Sequence, residues 1–221
     1  MASGTVKLAL ALAGAGVVGI GGWHWATHWR PSPEIYPLQG IDLPADAPAL
    51  EWGSVRAAGA DFAYLTATAG LSARAPAFEA NWQALPEAGL RRGAVHLLDP
   101  CADGRRQADA FNAVVPRASD ALPPAVAVEA TGECDAPTAT RELRAFAAAV
   151  EAHSGKPIIL RLSRHAQGAY RLATALDRPI WVTANFLRPG YANRPWRLWR
   201  ATTMRRVDGV DQPMNWDVVA P

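Results

Sequence analysis

Short apolar runs with the alternation of β-strands recur along the chain, and amphipathic stretches separate several of them. The strand-like runs are GIDL (40–43), FAYLTAT (62–68), GAVHLL (93–98), AVAVEA (125–130), PIILRLS (157–163), PIWVTA (179–184), RLWRAT (197–202) and NWDVV (215–219). One intervening stretch has the i, i+3, i+4, i+7 spacing of a helix that should end near Gly155, with apolar residues at Leu143, Phe146, Ala147 and Val150. Strand, helix and strand in succession predict parallel pairing of the strands.

The number of strand runs decides between the two architectures that such an alternation allows. Eight runs favour a closed β/α barrel over an open, doubly wound sheet. The last three runs are separated by too few residues for long helices, so we expect the ring of helices to be incomplete on that side. With 221 residues, half of them apolar, the chain is long enough for one sizeable core. The predicted fold class is therefore α/β, a TIM-like barrel with an incomplete helical ring.

The first thirty residues differ in character from the rest. Lys7 precedes the uncharged run LALALAGAGVVGI, and Trp23, Trp25 and Trp29 follow within a few residues. A run of this length fits the core of a signal peptide, whereas a full membrane span needs about 20 residues. Counted from Val6 to Trp25, however, the stretch approaches spanning length and closes on an aromatic belt. A cleaved signal and a retained anchor both remain open.

This segment predicts how the chain is organised and where it acts. Residues 1–31 are interpreted as a signal peptide or membrane anchor, residues 32–38 as a Pro-rich linker, and residues 39–221 as the barrel domain. The barrel is then expected in the periplasm, either exported or anchored to the inner membrane. Cys101 and Cys134 are the only cysteines, and an oxidising compartment allows them to form a disulfide.

Charge and cysteine content exclude other classes of function. The 22 basic and 20 acidic residues leave a net charge of only +2, which lacks the basic footprint of a nucleic-acid-binding protein. No Gly-rich phosphate-binding motif follows a strand run. Two sulfurs without suitably spaced histidines do not predict a metal site, and no cofactor is expected.

Polar residues lie near the ends of several strand runs, where a β/α barrel builds its active site. They are Asp42, His96, Glu129, Asn215 and Asp217. Each has a structural alternative when taken alone: Asp42 could cap a turn, His96 could be a hydrogen-bonded core histidine, and Asp217 could be solvated. Together they predict one polar rim.

A rim of carboxylates and aromatic side chains suits the cleavage of glycosidic bonds. One carboxylic acid protonates the leaving oxygen, and a second group stabilises the oxocarbenium-like centre. We therefore predict Glu129 and Asp42 as catalytic residues and His96, Asn215, Asp217, Trp181 and Trp216 as substrate-binding residues. Core packing is the alternative for each tryptophan, including Trp196, and is favoured for Trp199.

Several motifs resemble those of glycoside hydrolase family 25, the Chalaropsis-type lysozymes. They are GID (40–42), FAYLTATAG (62–70), FEANW (78–82), AGLRRGAVHLL (89–98), QADAF (107–111), LPPAVAVE (122–129), GKPII (155–159), PIWV (179–182) and WRLWRAT (196–202). The resemblance implies a flattened barrel and an N-acetylmuramidase acting on the glycan strands of peptidoglycan. Cysteines placed like Cys101 and Cys134 also resemble those of a proteobacterial branch of the family.

The catalytic pattern of this family is only partly present. The family has Asp-x-Glu on the fourth strand, with Glu as general acid and Asp orienting the N-acetyl group of the substrate. Glu129 matches the Glu, but Ala127 stands at the Asp position. The family's Asp-x-Asn on the eighth strand is reversed to Asn215, Trp216 and Asp217. Other departures are Thr66, Ala69, Val95 and Arg200, whereas Asp42, His96 and Glu129 are retained.

Two hypotheses of function follow. The first is a muramidase-like glycoside hydrolase of the cell envelope with weak activity. The alternative is a catalytically inactive member, a pseudoenzyme that binds glycan strands or an unknown protein partner through the same groove. If the N-terminal segment is retained rather than cleaved, it is expected to link the protein to the inner membrane.

Overall fold

The computed structural model describes residues 2–221, without the side chains of residues 2–6, 9 and 11. The strands are β1 (Gln39–Leu43), β2 (Phe62–Ala69), β3 (Ala73–Arg74), β4 (Arg91–Leu97), β5 (Ala125–Val128), β6 (Ile159–Leu162), β7 (Ile180–Thr183), β8 (Leu198–Arg205) and β9 (Met214–Val219). The helices are α1 (Ala2–His28), α2 (Trp52–Ala57), α3 (Phe78–Glu87), α4 (Gly104–Asn112), α5 (Ala136–Ser154), α6 (Arg164–Tyr170) and α7 (Leu172–Ala175).

The strands close into a barrel in the order β1-β9-β8-β7-β6-β5-β4-β2, and β2 pairs with β1 to complete the ring. All eight strand runs found in the sequence are barrel strands, so the predicted barrel is confirmed. Strand β3 adds only a short antiparallel ladder on β2. Two pairings differ from the sequence prediction, because β9 runs antiparallel to both β8 and β1. The short connection between β8 and β9 explains this, because a parallel crossover needs a dozen or more residues.

The ring of helices is incomplete, as expected. In the described part of the chain, α2 to α7 all lie between β1 and β7 in sequence, and no helix connects β7 to β8 or β8 to β9. The segment after α1 covers this side instead. The Trp29 ring lies 6.5 Å from the Trp199 ring, the Tyr36 ring lies 6.0 Å from Trp199, and Arg30 stands 5.8 Å over the Trp216 ring.

Residues upstream of β1 are thus packed against the barrel. Thr27 and Pro31 are buried, although both fall within or next to the predicted leader. The Gln39 side chain donates to the carbonyl oxygens of Pro31 (3.0 Å) and Tyr36 (2.9 Å), which fixes the course of the intervening Pro-rich segment. Met1 of the predicted leader lies outside the described residues. Among the described residues, no helix is both long and apolar enough to cross a membrane.

Strand alternation produces two separate packed regions. Phe62, Tyr64 and other inward residues fill the inside of the barrel, whereas the larger cluster lies between the barrel and its helices. The floor of the barrel depends on glycine at position 93, because an added Cβ there would lie 2.3 Å from the Tyr64 ring. The end of the barrel at which the parallel strands begin contains a pocket whose lining includes Phe62, Tyr64, Ile159 and Leu198.

Helix α5 has the boundaries and the buried face that the sequence predicts. The Asp135 side chain caps its first turn by accepting from the Thr138 amide at 2.9 Å. Gly155 ends it in the left-handed conformation with φ of 71°. Its buried residues include Leu143, Phe146, Ala147 and Val150.

The predicted disulfide between Cys101 and Cys134 is confirmed. It joins the loop after β4 to the loop after β5, across a sequence separation of 33 residues. On the chain-entropy model, closing such a loop stabilises the fold by about 3–4 kcal/mol. The disulfide thereby holds the C-terminal end of the loop that starts at Glu129.

Candidate active site

The end of the barrel that holds the C-terminal residues of the parallel strands is called the barrel mouth. Six polar side chains meet inside the barrel at this end. Period-two alternation directs them inward from five strands. They are Asp42 of β1, Glu129 directly after β5, Arg161 of β6, Arg200 of β8, and Asn215 and Asp217 of β9, and this group is called the charge cluster. The structure therefore brings together four residues that the sequence predicted and adds two arginines.

Asp42 is the centre of the charge cluster. Its side chain is only 1% exposed and accepts from Arg161 Nη1 at 3.0 Å and from Arg200 Nε at 2.7 Å. A second Arg200 nitrogen and Asn215 Nδ2, the latter at 3.1 Å, also donate to it. Burial alone would raise the pKa of Asp42, but the charges of Arg200 and Arg161 outweigh it and hold the pKa below its usual value. This saturated carboxylate cannot contact a substrate directly, which corrects its prediction as a catalytic residue.

Asp217 lies deeper and has the opposite electrostatic character. Its Oδ1 accepts from the Trp181 indole at 2.9 Å, and its side chain is fully buried. Burial and the negative charge of Asp42 raise the pKa of Asp217 well above its usual value. Its Oδ2 atom has no hydrogen-bond partner among the described residues, and the raised pKa favours a protonated carboxyl that can donate to Asp42. Asp217 is therefore a buried residue that no substrate reaches, contrary to its predicted substrate-binding role.

Glu129 is the one carboxylate of the charge cluster that is open to solvent, with its side chain 47% exposed. Its Oε1 lies 2.9 Å from Arg161 Nη2 and 4.0 Å from Arg200 Nη1. Its backbone carbonyl oxygen accepts from Ser163 Oγ at 2.8 Å, which fixes the start of the loop. Glu129 is thus placed to meet a ligand at the barrel mouth, but one of its carboxylate oxygens is bound by Arg161.

Ala127 faces the same interior two residues earlier. It is buried and lies in register with Arg161 of β6 on one side and Leu97 of β4 on the other. The position at which the resembling family carries an acid is therefore occupied by a methyl group beside a guanidinium. Arg161 in turn stacks over the Trp181 ring at 4.9 Å.

The two arginines were not identified as site residues from the sequence. Arg200 was noted only as a departure from the family pattern, and Arg161 only as part of the run PIILRLS. A basic residue in the middle of an apolar strand run could have indicated them, because such residues are rarely buried unless they are paired with a negative charge. The negative charges of Asp42 and Glu129 are paired with the positive charges of Arg161 and Arg200. The barrel mouth consequently has little net negative charge with which to stabilise a cationic transition state.

His96 is a core residue, so its predicted role in substrate binding is wrong. It is fully buried on the outer face of β4 and stacks on Phe146 at 4.7 Å. Its ring nitrogens bond to Thr68 Oγ1 at 2.8 Å and Gln107 Oε1 at 3.2 Å. Burial lowers the pKa of His96 to about 4, although the bond to Gln107 opposes the shift. His96 therefore stays neutral inside the fold.

Neither tryptophan predicted to bind sugar does so. Trp181 and Trp216 are both fully buried. Trp181 lies inside the barrel beneath the two arginines, whereas Trp216 lies on the outside and donates to Gln39 Oε1 at 2.7 Å. Neither ring has a free face for a sugar. Asn215 is partly exposed and remains a candidate for ligand contact.

Neutral burial of His96 predicts a pH dependence of stability. The unfolded chain takes up a proton on this ring below pH 6.5, whereas the folded chain does so only near pH 4. Stability due to His96 is therefore complete above pH 6.5 and is lost as the pH falls, by about 2 kcal/mol between pH 7 and pH 5. Urea unfolding of His96→Gln at both pH values should show a pH effect smaller by that amount. An identical pH effect in both proteins would contradict neutral burial.

No three His, Cys, Asp or Glu side chains are grouped as possible metal ligands in the described part of the chain. The chemistry available at the barrel mouth is that of Glu129, the paired arginines and Asn215. A single solvent-open carboxylate can transfer a proton to or from a bound ligand.

Comparisons with known proteins agree with the barrel topology. A sequence model described as "Glycosyl hydrolases family 25" matches residues 41–210. The chain is 29% identical over 198 residues to Uncharacterized protein YegX of Escherichia coli strain K12, covering 84% of this chain and 71% of that protein. It is 41% identical over 75 residues to Lysozyme M1 of Streptomyces globisporus, covering 34% of this chain and 26% of that protein. A solved family 25 glycosyl hydrolase from Bacillus anthracis matches with a TM-score of 0.78 and 25% identity, over 87% of this chain and 92% of that one.

Proposed function

The chain belongs to glycoside hydrolase family 25, and from this premise we propose that it is a lysozyme-like hydrolase acting weakly on peptidoglycan glycan strands. The family membership confirms the resemblance found in the sequence motifs. The observation that supports the proposal is Glu129, a carboxylate open to solvent at the barrel mouth. It stands at the position of the family's general acid.

In the proposed mechanism Glu129 donates a proton to the leaving oxygen of a glycosidic bond. Asp42 acts as a positioning residue, because it holds Arg161 and Arg200 on either side of the general acid. Asn215 supplies a polar contact at the edge of the groove. No carboxylate stands at Ala127 to orient the acetamido group, so that contribution is missing.

We propose that the rate is low for two physical reasons. The loss of one positioned catalytic group typically reduces a rate by about two to four powers of ten. In addition, Arg161 occupies the Oε1 atom of Glu129, so this ion pair must open or reorient before the acid meets its substrate.

A second candidate function is glycan binding without cleavage, as in a pseudoenzyme. The ion pair between Glu129 and Arg161 favours it, together with the methyl group at Ala127. Under this alternative the groove is retained as a binding surface for glycan or for a protein partner. The two functions differ in whether new reducing ends appear when peptidoglycan is incubated with the protein.

The substitution Ala127→Asp tests the proposed hydrolase directly. Because residue 127 lies in register with Arg161, the new carboxylate is expected to pair with that guanidinium and release Glu129. We expect release of reducing ends from peptidoglycan to rise by at least about tenfold. Ala127→Asn is the matched control, since it has the same size without the charge and should give no increase.

Folding of both variants is checked by thermal unfolding, because extra atoms at a buried position cost about 1–3 kcal/mol. A folded Ala127→Asp protein that binds peptidoglycan and still releases no reducing ends would favour the pseudoenzyme. If neither the wild type nor the variant bound peptidoglycan, the glycan substrate would be refuted and a protein partner would become the better explanation.

We also propose that the protein is exported and held at the inner membrane by α1, with the barrel in the periplasm. The apolar side chains of α1 between Leu8 and Ile20 are exposed to solvent, which is unfavourable outside a lipid environment. The Cys101–Cys134 disulfide suits an oxidising compartment. Flotation of the full chain with phospholipid vesicles, and its loss on removal of residues 2–22, would support this location.

A further inference from the structure

We infer that α1 is rigidly joined to the rim of the barrel mouth, so that the mouth is held against an anionic lipid bilayer rather than on a flexible tether. The inference rests on the proposed membrane association of α1 and adds an orientation to it. It specifies which end of the barrel approaches the lipid. It does not depend on whether Glu129 cleaves glycan.

Two hydrogen bonds attach the last turn of α1 to the end of β8, one from a backbone amide and one from an arginine side chain. The buried Thr27 accepts from the Arg206 amide at 2.7 Å through its carbonyl oxygen. The carbonyl oxygen of His28 accepts from Arg205 Nη1 at 2.6 Å. These carbonyls belong to a helix C-terminus, where they have no partner within the helix. The end of the helix is therefore completed by the barrel.

Aromatic packing reinforces the same junction. The Phe186 ring lies 5.2 Å from Trp25 and 5.3 Å from Trp29, and the Trp29 ring also contacts Trp199. Phe186 has a φ of 67°, which is rare for an aromatic residue. Such a conformation persists only where surrounding contacts enforce it. Trp25 of α1 and Trp29, the residue after the helix, supply two of those contacts. A loosely tethered helix would not need this arrangement.

The position of the junction gives the orientation. Phe186 follows the C-terminal end of β7, and Arg205 is the last residue of β8. Both ends belong to the barrel mouth, as does Glu129 at the end of β5. Leu38, by contrast, precedes β1 and lies at the opposite end of the barrel. The helix therefore leaves the barrel beside the candidate active site.

The exposed side chains around the junction fit a bilayer with anionic headgroups. The apolar residues exposed on α1 include Leu8, Leu10, Leu12, Val17, Val18 and Ile20. Leu187, next to Phe186, is 78% exposed and adds an apolar tip to the rim. Trp23 and Trp25 are exposed at the level where an interfacial aromatic belt is expected. Arg188 and Arg206 are exposed nearby and complement negative headgroups.

This geometry restricts the glycan that the barrel can reach. A mouth held against the bilayer opens onto glycan strands next to the membrane surface, and distant layers are out of reach. The proposed substrate is therefore membrane-proximal peptidoglycan.

The test labels one end of the barrel at a time in the full chain. Both native cysteines are in the disulfide, so an introduced cysteine is the sole free thiol for an environment-sensitive fluorophore. Leu187→Cys reports on the mouth, and Leu38→Cys, also at an exposed leucine, is the matched control at the other end. On vesicles of phosphatidylglycerol and phosphatidylethanolamine, the label at 187 should shift to the blue and lose at least half its intensity to a quencher on the lipid headgroup. The label at 38 should not respond.

Equal responses at both positions, or none at either, in protein that floats with the vesicles would overturn the orientation and indicate a flexible tether. Protein that does not float would overturn the membrane association itself. A blue shift at 187 that grows with protein concentration in the absence of lipid would instead indicate a second copy of the chain as the partner. Glycan cleavage is measured separately on the same preparations, so failure of the hydrolase proposal is distinguishable from each of these outcomes.

Discussion

Replacing Asp42 with asparagine is expected to lower the free energy of unfolding by about 3–5 kcal/mol, because it leaves two buried guanidinium groups without their shared counter-charge. Arg161 is 3% exposed and Arg200 is 13% exposed, and both donate to the Asp42 carboxylate. Asparagine has nearly the same shape, but it carries no charge, and its NH2 group replaces the oxygen that accepts from Arg200 Nε. Chemical denaturation of the wild type and Asp42→Asn at pH 7 measures the difference.

The matched control for this prediction is Asp217→Asn, at the equally buried partner. Burial and the charge of Asp42 raise the pKa of Asp217 and favour its protonated form, and asparagine resembles that form because it can accept from Trp181 and donate to Asp42. In the wild type, this carboxyl adds to the free energy of unfolding below the pKa that Asp217 has in the unfolded chain. That contribution is lost as the pH rises through the pKa that Asp217 has in the folded protein. Asp217→Asn should therefore be at least as stable as the wild type at pH 7, with its advantage shrinking toward pH 4. A loss equal to that of Asp42→Asn would show that Asp217 is ionised in the fold.

Glu129→Gln is expected to reduce glycan cleavage by about two to four powers of ten, because an amide of the same shape has no acidic proton to deliver. The effect is most readily measured in the Ala127→Asp background, where the starting rate should be higher. Release of reducing ends from peptidoglycan is again the assay. Binding of peptidoglycan should change little, because the amide oxygen can still accept from Arg161.

Glu133→Gln provides the control from the same loop, since Glu133 is exposed and does not belong to the charge cluster. It should cleave at the rate of its parent protein. If Glu129→Gln cleaved as fast as Glu133→Gln, Glu129 would not be the general acid, and catalysis would have to be sought elsewhere in the groove. The stability of Glu129→Gln must match that of the control for the comparison to hold.

Substitution of Asp42 is expected to reduce stability, whereas substitution of Glu129 is expected to reduce catalysis. Asp42 and the two arginines form a buried network in which each charge is compensated, and such a network resists substitution of any one member. At its reacting centre a glycosidase needs carboxyl groups that are not held in such ion pairs, so that they can donate a proton or stabilise a positive charge. Glu129 is the carboxylate of the charge cluster that combines attachment to the network with exposure to solvent.

The positions of the barrel strands and the buried face of α5 are predictable from the amino-acid sequence. Both follow from local periodicity, because a buried face repeats every two residues in a strand and every 3.6 in a helix. The end of α5 at Gly155 and the pairing of Cys101 with Cys134 were also predictable. The same alternation places Ala127 and Glu129 on one inward face, so the loss of the first carboxylate was visible before any coordinates.

Strand position did not decide on which side of the barrel wall a residue lies. His96 and Trp216 are both near strand ends at the mouth, yet both point outward into the core beneath the helices and the N-terminal segment. The register of β2 and β4 shifts between Thr66 and Thr68, and such an irregularity changes which side chains face inward without changing the apolar pattern. Local sequence patterns do not predict the packing upstream of β1, because the partners of Trp29 on the barrel, Phe186 and Trp199, lie more than 150 residues away along the chain.

The pairing of the buried carboxylates with the arginines is apparent only in the folded structure. Asp42 meets Arg161 and Arg200 across separations of 119 and 158 residues, which no local pattern encodes. Coulomb energy depends on through-space distance and burial, so residues of one type can behave in opposite ways. The carboxyls of Asp42 and Asp217 illustrate this: the pKa of the first is lowered by two adjacent guanidiniums, whereas that of the second is raised by burial beside the first.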